Sequence, residues 1–207
     1  MGKHILQRFG LVMLSSTLSI TVAAACYSPP EPTGIQDIIL EDGGDIQYSW
    51  LVENQFEKVP EQIQQYFLES GWTIIVTDTD LNQEYFSSEY SSVSGMTSYR
   101  RQTIYIQDNY QSAISAPTHE IGHWIDWAAG FPSKSNEFQK IYQEVKEKRQ
   151  QAKPTIGLDN EMEIFADAIS DYITSPASLD AYPNLQEFVQ KSICQLENIS
   201  YYNTPEN

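Results

Sequence analysis

The sequence predicts an α+β domain: a small N-terminal mixed sheet with helices, then a C-terminal helical subdomain, with a metal site between them. Three observations carry this. Trp72-Thr73-Ile74-Ile75-Val76-Thr77 and Thr103-Ile104-Tyr105-Ile106-Gln107 are apolar, β-branched runs of strand length. Beyond the second run the apolar residues recur at three- and four-residue steps, the period of helices packed on one face. Between the two regimes stands His119-Glu120-Ile121-Gly122-His123, an H-E-x-x-H pattern.

A chain of 207 residues suits one domain with a core large enough to fold alone. Aromatic residues make up 12% of it, including 13 tyrosines, which argues against a disordered chain. There are 28 acids and 12 bases, net −16. A surface of that sign repels nucleic acid and anionic lipid, so neither is expected as a partner.

Lys3, His4 and Arg8 make a basic start, Phe9 to Val22 is apolar but diluted by Ser and Thr, and Ala23-Ala24-Ala25 offers a cleavage site. Residues 1–25 thus read as an export signal, placing the chain outside the cell or at its surface. Removing them leaves 28 acids against 10 bases, net −18. Cys26 follows directly, as the lipid-bearing cysteine of a bacterial lipoprotein does, with Ala23 where a Leu is usual. It is read either as lipidated, the only membrane attachment expected, or as paired with Cys194 in an oxidising compartment. Residues 26–34 are proline-rich and read as an extended tether. The folded domain is expected over 35–200, acting as a monomer, with 201–207 a loose tail.

Within the domain, Ile35 to Leu40 reads as a strand and Glu41 to Asp45 as a turn. Val52 to Ser70 has helical periodicity, with Pro60 either breaking it or opening its second half, and Gly71 ends it. The polar stretch 78–98 reads as a long loop, a common place for function. The motif helix is expected to start near Ser115 with Pro117 in its first turn. Ile114, Ile121, Trp124, Ile125 and Ala128 would be its buried side. Further helices are expected at about 135–151, from an Asp159 cap to Ser175-Pro176, and at about 184–196, where Cys194 would be a small buried residue if unpaired.

On a helix His119 and His123 lie about 40° apart and one turn up, so both imidazoles can reach one Zn²⁺. His4 lies in the leader, so both remaining histidines of the chain fall in this motif. Glu120 beside them can take a proton from water activated by the metal. A catalytic zinc site needs a third protein ligand, and no third histidine lies downstream. A carboxylate must serve, and Glu161, Glu163 and Asp167 are the candidates. Glu163 is preferred, with Asp167 one turn on, able to accept the free N–H of a liganding imidazole.

His119-Glu120-Ile121-Gly122-His123-Trp124-Ile125-Asp126, closing with Ala129-Gly130, resembles the active-site helix of the anthrax lethal factor catalytic domain and its small relatives, the Pro-Pro endopeptidases. Asn160-Glu161-Met162-Glu163-Ile164-Phe165-Ala166-Asp167-Ala168 is similar to that family's Asn-Glu-x-Glu-Phe-Phe-Ala-Glu-Ala segment. The resemblance covers roughly residues 100–195. It implies a zincin-like fold, one Zn²⁺ per chain held in the gluzincin manner by His119, His123 and Glu163, and endopeptidase activity with Glu120 as base. It also implies an extended peptide or protein substrate held by the strand before the motif helix, here Thr103, Ile104, Tyr105 and Ile106, at the sheet edge. The family's oxyanion Tyr, seven residues before the liganding Glu, is replaced by Ile156; Tyr99 and Tyr142 are the substitutes considered. That departure, with Cys26, suits a second reading: a surface lipoprotein binding module that keeps its zinc but has lost turnover.

Overall fold

The computed structural model describes residues 34–89, 92–153 and 160–203, with side-chain surroundings to residue 196. The export signal, the tether up to residue 33 with Cys26, and Ile156 and Asp159 lie outside the described residues. Four strands form one sheet: β1 (Ile39–Asp42), β2 (Thr73–Thr77), β3 (Gly95–Ser98) and β4 (Thr103–Gln107). Their order is β1-β2-β4-β3, with β1, β2 and β4 parallel and β3 antiparallel to β4. Among the described residues there are seven α-helices: α1 (Ser49–Phe56), α2 (Glu61–Glu69), α3 (Leu81–Phe86), α4 (Tyr110–Ala128), α5 (Asn136–Ala152), α6 (Glu161–Thr174) and α7 (Pro183–Asn203).

Alternation along the strands decides the layers. Ile74, Val76, Ile104 and Ile106 are fully buried and face the helices. On the other face Tyr105 meets Tyr85 of α3, ring centroids 5.5 Å apart. Two aromatic clusters anchor the helices. Phe56, Phe67, Tyr66 and Trp124 join α1 and α2 to α4. Phe138, Phe165 and Phe188 join α5, α6 and α7. The described residues cluster as one compact unit, so the C-terminal helices share the core of the sheet.

Several expectations are corrected. The strand Thr103, Ile104, Tyr105, Ile106 is interior, because stretch 78–98 is not a plain loop. It forms α3 and then folds back as β3, which takes the edge. The first strand is β1, shifted to Ile39–Asp42 behind a 3-10 turn at Ile35–Asp37. The stretch expected as helical is two helices, as one reading of Pro60 allowed, and Pro60 stands at the N-cap position that opens α2. The motif helix begins five residues early, because the Asn109 side chain accepts from the Ser112 amide and caps it there. Pro117 is therefore inside α4. Ile121, Trp124 and Ile125 are buried, while Ile114 and Ala128 are half-buried. Cys194 is exposed. Residues 201–203 continue α7.

Candidate metal centre

The site is set by how closely α4 and α6 cross. A Cβ on Gly122 would lie 2.6 Å from the Ala166 carbonyl oxygen and 2.7 Å from its Cα. The two backbones touch there, and only glycine leaves the room. His119 and His123 flank Gly122 on α4, and Glu163 lies one turn from Ala166 on α6. The crossing therefore brings all three side chains to one point. Asn160 starts α6 at the right place, its side chain accepting from the amides of Met162 (2.9 Å) and Glu163 (3.1 Å).

His119 Nε2 lies 3.2 Å from Glu163 Oε2, and His123 Nε2 lies 3.5 Å from Glu163 Oε1. One ligand atom from each residue falls within 4.8 Å of the others. Burial pushes the Glu163 carboxyl up, but bonds to the two imidazoles override it and hold it well below the usual carboxylate range. Burial pulls His119 down, and the bond to Glu163 with the charges of Glu120, Glu163 and Asp167 raises it above its ordinary value. These residues fit a metal cation. With the imidazole protons on Nδ1, two ring lone pairs would face carboxylate lone pairs, and only a proton or a cation between them removes that repulsion. The donor set of two nitrogens and one carboxylate oxygen is one that zinc takes, and Glu163 keeps 30% of its side chain exposed, leaving solvent access for a fourth ligand.

Glu120 is buried, 5% exposed, and does not join that cluster. Its carboxylate accepts a 2.7 Å bond from the Thr97 hydroxyl on β3. Asp126, one turn beyond His123, is fully buried and accepts from the Ser133 amide (2.9 Å) and hydroxyl (2.6 Å), tying down the chain after α4. Burial raises its carboxyl above the ordinary value despite those bonds.

Asp167 does not serve an imidazole in the described contacts. Its carboxylate is engaged by Arg149 and by Lys153 (2.7 Å), both from the end of α5. Asp171, one turn further, takes the same pair: Lys153 at 2.7 Å and Arg149 at 2.9 Å, the latter at ion-pair distance but off-line for a hydrogen bond. Two cations outbid a neutral ring N–H for a buried carboxylate. His123 Nδ1 is left buried with no partner. Glu161 pairs with Lys134 at 2.6 Å, away from the cluster.

Of the two tyrosines, Tyr99 is in the field of the site. Its ring packs edge-on against Trp72 and Phe131, and burial, then the charges of Asp126, Glu120 and Glu163, push its pKa far up. Its hydroxyl therefore holds its proton more firmly than an ordinary tyrosine's. Tyr142 lies on α5 with the Lys146 ammonium over its ring.

The structure of the Pro-Pro endopeptidase PPEP-2 from Paenibacillus alvei aligns with 76% of this chain and 98% of its own, at 18% identity and a TM-score of 0.60. The fold is Pro-Pro endopeptidase-like. No family model matches the sequence, and no protein of curated function is matched by it. The likeness therefore speaks for the arrangement of sheet and helices and leaves the chemistry to the residues described above.

Thr97, Gly95 and the Arg149–Lys153 pair are the residues that motif reading misses. The last left a trace in the sequence: cations four residues apart on one helix match acids four residues apart on the next. Thr97 left none, because its strand has no apolar run.

Proposed function

We propose that this protein is a zinc-dependent endopeptidase of zincin-like, gluzincin type. The observation that carries the proposal is the convergence of His119, His123 and Glu163, from two helices, within 4.8 Å. Glu120 supports it from the same helix. Zn²⁺, when bound, supplies a Lewis acid for a peptide carbonyl and acidifies water. Glu120 takes the proton of the attacking water and passes it to the leaving nitrogen. Tyr99, which lies in the field of Asp126, Glu120 and Glu163, is the tyrosine we assign to the developing oxyanion in place of the one replaced by Ile156.

The substrate strand moves from β4 to β3. The Gln107 amide donates to the Ser94 carbonyl at 3.0 Å, which makes that pair the hydrogen-bonded type. Alternation then turns the backbone of Met96 and Ser98 toward β4, and that of Gly95 and Thr97 toward the open edge. An extended peptide can add there as a further strand. The basic start and the Ala23-Ala24-Ala25 stretch support export of the chain, with the peptidase domain beyond the proline-rich tether.

The deciding experiment is cleavage of a random peptide mixture and of a Pro-Pro peptide panel, with and without chelator, by wild type and Glu120→Ala. Zinc retained but cleavage abolished in Glu120→Ala supports the proposal. Equal cleavage by both refutes the assignment of Glu120.

A further inference from the structure

Strand β3 touches the base as well as the edge. Gly95 and Thr97 are two residues apart, so both present their side-chain positions to α4. At Gly95 there is no side chain: a Cβ would lie 2.9 Å from Glu120 Cγ and Oε1, and 3.1 Å from the Ala116 Cβ. At Thr97 the hydroxyl donates to Glu120 Oε2 at 2.7 Å and leans toward the Glu120 carbonyl at 3.2 Å. The Glu120 carboxylate thus lies in a notch of this strand. One position leaves the space and the other fixes one oxygen.

Resting on the peptidase reading, we propose that Thr97 is a positioning residue for Glu120 and links peptide pairing at the strand edge to the placing of the base. The backbone of Thr97 faces the open edge while its hydroxyl holds Oε2. Pairing of a peptide along Gly95 and Thr97 stiffens the same strand that carries the hydroxyl. Oε1, the oxygen beside Gly95, is left to receive the water proton. The hydroxyl keeps its proton throughout, so the link changes where the base sits and not what it transfers.

The test uses the zinc-loaded full domain and four variants: Thr97→Val, Thr97→Ser, Gly95→Ala and Glu120→Ala. Valine keeps the shape of threonine and removes the donor; serine keeps the donor. Expected for Thr97→Val is a fall in kcat of about 10- to 100-fold, the order of a displaced catalytic group, with KM within about twofold. Zinc content by metal analysis stays at wild-type level, and Thr97→Ser recovers kcat to within about threefold. Gly95→Ala lowers kcat in the same direction by crowding the carboxylate. On thermal melts of the metal-free protein, Thr97→Val and Glu120→Ala are non-additive, since each breaks the same bond. Wild-type kcat in Thr97→Val, a fall explained by zinc loss, or no recovery with serine overturns the proposal while the peptidase reading stands. If wild type itself cleaves nothing in the presence of zinc, the peptidase reading fails and this role falls with it.

Discussion

Helix α6 carries acids at three successive turns, Glu163, Asp167 and Asp171, and gives them two different fates. Glu163 meets the imidazoles of α4 in a half-open site. Asp167 and Asp171 meet Arg149 and Lys153 of α5, with Arg149 and Asp167 each 2% exposed. Each turn offers a carboxylate; the neighbouring helix decides the chemistry. Imidazoles that share a proton with a carboxylate can exchange it for a metal. A guanidinium cannot give up its proton, and here the two acids hold Arg149 above even its ordinary pKa. One end of the row is thus the candidate ligand site and the other is a fastener for the helix that bears it.

The largest effect separates the two ends by what each loses. Glu163→Ala removes the proposed third zinc ligand. Bound zinc by metal analysis should fall from about one per chain to near zero, and peptide turnover by at least about 10³-fold. The metal-free protein should keep its fold, losing only the pH-dependent pairing of Glu163 with His119. Arg149→Met should do the reverse. It leaves two buried carboxylates to Lys153 alone, and losing one partner of such a network costs about 3–5 kcal/mol, read by urea unfolding of the metal-free protein. At a temperature where it stays folded, it should still bind zinc. An Arg149→Met protein as stable as wild type would show that the network is not a fastener.

Gly122→Ala attacks the element both ends share. The new methyl meets the backbone of α6, which has no rotamer to move away. Overpacking of this kind costs about 1–3 kcal/mol, and displacing Glu163 should weaken zinc binding about 10- to 100-fold in a chelator competition. Stability and zinc affinity should fall together here, unlike in either variant above.

These contrasts also explain what could be read in advance. Trp72–Thr77 and Thr103–Gln107 are legible because β-branched runs of that length have few other uses. His119, Glu120, His123 and Glu163 are legible because their spacing expresses chemistry along single helices. The role of Asp167 is not, because spacing tells which residues share a face and not which helix packs against it. β3 is hidden for a related reason: Gly95-Met96-Thr97-Ser98 has little strand propensity and forms by pairing with β4. The early start of α4 is obscured by Pro117, whose usual place in a first turn points to Ser115, whereas Asn109 provides the cap.

pH should distinguish the two ends by titration. Glu163 is depressed, so its contribution is present above the ordinary carboxyl value, about 4.3, and is lost as pH falls through the folded one. His119 is raised, so its contribution is full below about 6.5 and is lost as pH rises through its folded value. The metal-free protein should therefore gain most from this pair between about pH 4.3 and 6.5. Melts of metal-free wild type and Glu163→Ala should differ most in that window. Zinc must displace the His119 proton, so its affinity should weaken as pH falls through the raised value. A difference between the two melts that does not vary with pH would refute the shared proton.

The smallest expected effect is at the start of α6. Asn160 accepts from the amides of Met162 and Glu163, so it fixes the first turn, the one that carries the ligand. Removing such a cap costs about 1 kcal/mol. Asn160→Ala should lower unfolding stability by that amount and loosen zinc by a few-fold, because the metal must then order a frayed turn. Asn160→Asp keeps the acceptor and should recover both. The same loss of stability made elsewhere, as in Ser135→Ala at the cap of α5, should leave zinc affinity alone. If the two caps prove equivalent in zinc competition, then the order of α6 at Glu163 comes from its packing on α4, and Gly122 rather than Asn160 holds the ligand in place.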